Sequence, residues 1–85
     1  MISASQIRAA RGLLDISAAE LSTLSGVDLR TIQRFERSLG VPPSRLGTLE
    51  RIKATLENHG IVFFGDPVTS PGVQLQISGQ PREKS

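Results

Sequence analysis

Residues 17–38 read SAAELSTLSGVDLRTIQRFERS, two short helical patterns separated by a single Gly-Val step. Ser17 followed three residues later by Glu20 is a capping box, in which hydroxyl and carboxylate satisfy two otherwise unpaired amides at a helix start. The box opens a helix over 18–25 with Leu21 and Leu24 as its inward residues. Gly26 follows where the chain needs positive φ to leave the helix, and Val27 is an apolar plug. Asp28 then caps a second helix from Leu29 to about Ser38. Ile32 and Phe35 form the inward face of that helix and Leu39 closes its end. Arg30, Gln33, Arg34 and Arg37 make its outward face.

Upstream, Ile7, Ala10 and Leu14 recur at helical spacing over 5–14, with Ser3 or Ser5 as cap and Gln6, Arg8 and Arg11 pointing elsewhere. Downstream, Gly40-Val41-Pro42-Pro43 stops the helix, because Pro cannot donate and biases its predecessor toward extended backbone. Ser44 restarts the chain. Leu46, Leu49, Ile52 and Leu56 then predict a helix over 45–58, ended by His59-Gly60. Ile61-Val62-Phe63-Phe64 is β-prone, a turn-rich segment follows, and Val73 to Ile77 alternates apolar and polar, which predicts a loose β-hairpin. The expected fold is mainly α: four helices within 1–60, a hairpin over 61–78 and a disordered polar tail over 79–85.

At 85 residues the chain holds one small domain, and such a domain buries only about 60% of its unfolded surface, so association with a second copy would help it. The charge balance of eight Arg and two Lys against eight acidic residues is only mildly basic. Its distinguishing feature is the choice of Arg, whose planar fork suits phosphates and guanine edges. Absence of Cys and a single His exclude a zinc site and leave few nucleophile–base pairs, so no cofactor and no enzymatic activity are expected. His59 is better placed as a helix-end cation than as a base. No glycine-rich phosphate loop is present, and no segment has a signal peptide's pattern or a membrane span's length. A cytoplasmic protein, nucleoid-associated when bound to DNA, is the expectation.

Two helices joined by a short Gly-containing turn, the second carrying a polar outer face, form the unit that places a helix in the major groove. Across residues 6–56 the chain also resembles the Cro/phage-repressor (XRE-type) family of helix-turn-helix regulators. The resemblance is carried by Ile7-Arg8-Ala9-Ala10-Arg11, Leu14, Ser17, Glu20-Leu21, Ser25-Gly26-Val27, Thr31-Ile32, Phe35-Glu36 and Leu49-Glu50-Arg51-Ile52. It implies a lambda-repressor-like bundle that binds operator DNA as a dimer. On that template Leu29, Arg30, Gln33 and Arg34 face the bases, and Ser17, Thr31, Arg37 and Arg45 are candidates for phosphate contacts. Arg11 and Glu36 correspond to a structural ion pair. Ala18 departs from the family, where Gln is frequent and touches DNA.

The hairpin is apolar for so small a protein, and Ile61, Phe63, Val73, Leu75 and Ile77 are its candidate dimerisation residues. One of its faces could pack on the bundle while an edge pairs with a second copy. The alternative is a foreign partner, as in an antitoxin that binds both operator DNA and a toxin chain. The homodimer is the favoured expectation.

Overall fold

The computed structural model describes residues 1–45 and 47–77. The expectations for Leu46 and for the tail 79–85 lie outside the described residues, as does Ser78 at the end of the expected hairpin. The elements run α1 (Ala4–Leu14), α2 (Ala18–Ser25), α3 (Leu29–Arg37), α4 (Thr48–Asn58), β1 (Ile61–Phe64) and β2 (Gly72–Leu75). Among the described residues the protein is thus mainly α, with four helices and a two-stranded antiparallel hairpin.

Local chemistry sets most of these boundaries. The Ser3 hydroxyl accepts from the Gln6 amide while Gln6 Oε1 accepts from the Ser3 amide, and Ser17 and Glu20 repeat this box at α2. Asp28 accepts from the Arg30 amide at α3. The fourth helix begins at Thr48 and not near Arg45. Gly47 stands at its N-cap with φ 71°, and the Ser44 hydroxyl reaches past it to accept from the Leu49 amide at 2.9 Å.

Leu21, Val27, Ile32, Phe35, Leu49, Ile52 and Leu56 pack around Ile7 and Ala10 of α1 in one core. Two apolar residues expected inside are not. Leu24 is 47% exposed on the short α2, and Leu39 is 98% exposed because α3 ends at Arg37 and the chain turns away. Ile2, which precedes the first cap, is fully buried instead.

The hairpin pairs Ile61 with Leu75, Val62 with Gln74, Phe63 with Val73 and Phe64 with Gly72. Period-two alternation separates its faces. Ile61 is buried in the core, Phe63 and Leu75 pack against it half-buried, and Val62 and Phe64 face outward. Ile61, Phe63 and Leu75, expected among the dimerisation residues, turn their side chains to the core of their own chain, which is the packing on the bundle that the sequence left open for one face of the hairpin. Val73 shares their side of the hairpin and is half-buried, whereas Ile77 lies beyond β2 and is 61% exposed. Gln6, expected to point outward, is only 3% exposed; its Nε2 donates to the carbonyls of Phe64 at 3.3 Å and Gly72 at 2.9 Å, tying α1 to the hairpin. At the root of the hairpin, Gly60 has φ 100° and its carbonyl accepts from the Gln76 amide at 2.7 Å, and a Cβ at this position would run into the Gln76 carbonyl oxygen. In the loop, the amides of Thr69 and Val68 bond Asp66, which holds its carboxyl below the usual carboxylate range.

Candidate nucleic-acid interface

The orientation of α3 is fixed first by the turn before it. Gly26 takes φ 72° and its amide donates to the Ser22 carbonyl at 2.9 Å. The Ser22 hydroxyl donates to the Val27 carbonyl at 2.6 Å, and Ser25 both donates to the Leu21 carbonyl at 2.7 Å and accepts from the Val27 amide at 3.2 Å. Every polar group of this tight turn with such a bond is held, so Val27 can sit 4% exposed beneath it. The forward bond of Ser22 to Val27 was not singled out in the sequence pattern, whereas that of Ser25 to Leu21 is the i−4 back-bonding open to a helical Ser.

The far end of α3 is clamped to α1. Arg11 donates from Nε to Glu36 Oε2 at 2.7 Å and from Nη2 to Oε1 at 2.9 Å, a two-pronged pair, and its Nη1 donates to the Ile16 carbonyl at 3.0 Å. The side chains are 23% and 10% exposed. Hydrogen bonding to Glu36 raises the Arg11 pKa against the opposing effect of burial. Arg8 adds a bond to the Glu36 carbonyl. The ion pair expected between Arg11 and Glu36 is therefore present as a bridge between helices.

With both ends held and Ile32 and Phe35 buried, α3 presents Arg30, Gln33, Arg34 and Arg37 to solvent. Leu29 is half-buried at the start of the helix. Among the described residues the salt bridges are Arg11–Glu36 and Lys53–Glu57, so none of these three arginines is neutralised by a salt bridge. Such a row of cations is self-repelling until an anion lies opposite it.

Beside this face, a groove of about 650 Å³ runs between α3 and the start of α4. Thr31 and Arg34 line one wall, and Ser44, Arg45, Thr48 and Arg51 the other. Of the four candidate phosphate contacts, Thr31 and Arg45 meet in this groove, while Ser17 and Arg37 lie outside it. Ser17 is exposed, its oxygen accepting from the Glu20 amide at 3.0 Å as the α2 cap. Arg51 was not among the candidates; its only sequence signal is its place on the polar side of α4, between inward-facing Leu49 and Ile52.

Among the described residues no cluster of His, Cys, Asp and Glu is arranged to hold a metal ion, and no helix is long and apolar enough to cross a membrane. Neither the models of known protein families nor the curated proteins give a match to this chain.

Proposed function

We propose that this protein is a sequence-specific DNA-binding transcriptional regulator, a lambda-repressor-like helix-turn-helix protein that represses by occupying operator DNA as a homodimer. The observation that carries the reading is the exposed, unneutralised cationic face of α3 on a helix whose turn and far end are both fixed. A recognition helix must be rigid relative to its domain, because base-edge hydrogen bonds tolerate little misplacement. Leu29, Arg30 and Gln33 are the base-contacting residues, with Ser17, Thr31, Arg37 and Arg45 on phosphates.

The test is selection of duplexes from a random pool, followed by titration of the enriched sequence. Arg30→Ala should weaken binding to that duplex by about 5- to 150-fold, the worth of one bidentate guanine contact. It should weaken binding to a scrambled duplex far less. A pool that yields no enriched sequence sinks the proposal.

A second copy fits the outward face of the hairpin. Val62 and Phe64 are 37% and 51% exposed there, beside Gln74. Two-fold association would present two copies of α3 to the two halves of a palindromic site. Val62→Lys with Phe64→Lys should halve the mass seen by light scattering while leaving the helical circular dichroism in place. A folded variant with the mass of the parent would assign the dimer to another surface.

A further inference from the structure

We infer that the groove between α3 and α4 is a clamp for the sugar-phosphate backbone of one DNA strand, built from Arg34, Arg45 and Arg51, so that Arg34 grips phosphate and does not read a base. The inference rests on the DNA-binding reading above and sharpens it, since Arg34 was expected among the base readers and Arg51 had no role.

The placement of Arg34 on its helix is the first support. At about 100° per residue, Arg30, Gln33 and Arg37 fall within a stripe about 60° wide, and Arg34 lies off its edge on the side of Thr31. Thr31 and Arg34 line the groove, whereas Arg30, Gln33 and Arg37 do not. The Arg34 guanidinium also lies 5.6 Å from the centre of the Phe35 ring, on the flank that the groove follows.

The second support is convergence. Three arginines on three separate segments line the groove: α3, the connection before α4, and the first turns of α4. None takes part in a salt bridge among the described residues. Asp28, the one carboxylate lining the groove among the described residues, already accepts from the Arg30 amide at 3.0 Å as the cap of α3. The wall carrying Arg45 is held in shape: Thr48 Oγ1 donates to the Arg45 carbonyl at 2.8 Å and the Ser44 hydroxyl accepts from the Leu49 amide. Planar, permanently charged forks on a fixed wall match phosphate geometry. When α3 occupies the major groove, a bordering strand has to pass along its flank, where this groove lies, and phosphate contacts at that place set register without reading sequence.

The experiment is fluorescence anisotropy with the enriched duplex and a scrambled duplex of equal length, over a salt series, for the parent protein, Arg34→Ala and Arg51→Ala. Each variant should lose roughly fivefold in affinity at 0.15 M salt on both duplexes, and the slope of log K against log salt should shrink by about 0.9 per arginine removed. Arg51 is exposed on α4, so its replacement by Ala should leave the thermal melt unchanged. The clamp is overturned if Arg51→Ala keeps the parent affinity and slope, or if Arg34→Ala weakens only the enriched duplex. A parent protein that binds neither duplex overturns the DNA-binding reading itself, and the clamp with it.

Discussion

Cutting the chain after Gly60 should abolish folding, not release a stable four-helix bundle. The hairpin contributes Ile61, 2% exposed, to the same core as Ile2, Ile7, Ile52 and Leu56, and full burial of such a side chain contributes about 1.5–3 kcal/mol. Phe63 and Leu75 pack half-buried against that core and would be lost as well. Gln6 would lose both carbonyls that its amide now reaches, at Phe64 and Gly72. Together these losses exceed about 5 kcal/mol, which is of the order of the whole stability of a small domain. The check is the far-UV circular dichroism and thermal melt of a 60-residue piece. A cooperative melt within a few degrees of the parent would show that the hairpin is an accessory. Since the hairpin belongs to the core, dimerisation has to be probed by surface substitutions on Val62 and Phe64 and not by truncation.

What the sequence made legible follows a physical division. The turn at Gly26, the caps at Ser17 and Asp28, and the inward pair Ile32 and Phe35 rest on interactions within a few residues, and local spacing reveals those. Gln6 is buried where a hairpin some sixty residues later folds back over α1, a contact that no local period can announce. Leu24 and Leu39 show the converse: apolar residues at helical spacing stay exposed when no neighbouring element covers them. The start of α4 was misplaced because the left-handed Gly47 stands at its N-cap, while Ser44 reaches the Leu49 amide from three residues before that glycine. Of the interface, the outward arginines of α3 were visible as a stripe. The place of Arg51 in the groove was not, because it arises only when α4 is laid beside α3.

Removing one member of the Arg11–Glu36 bridge should lower the free energy of unfolding by about 3 kcal/mol, read by urea denaturation of Arg11→Ala. That is the low end of what stranding one partner of a buried pair costs, because these side chains remain 23% and 10% exposed. The loss has two parts. Glu36 keeps a carboxylate next to α1 with both oxygens unpaired, and the Ile16 carbonyl loses its bond from Nη1. Arg11→Lys should recover only part of the loss, since a single ammonium cannot make the two parallel bonds and reach Ile16 as well. Replacing both partners, Arg11→Met with Glu36→Leu, should restore much of it, because no charge is then left without a partner. The Arg11 pKa is raised by its bond to Glu36, so the guanidinium's share of this stabilisation is complete below the usual Arg pKa and is lost only in strong alkali. DNA affinity of Arg11→Ala should fall in proportion to the fraction unfolded. A variant that unfolds like the parent yet binds DNA poorly would instead make Arg11 a DNA contact, and α3 would then need another anchor at its far end.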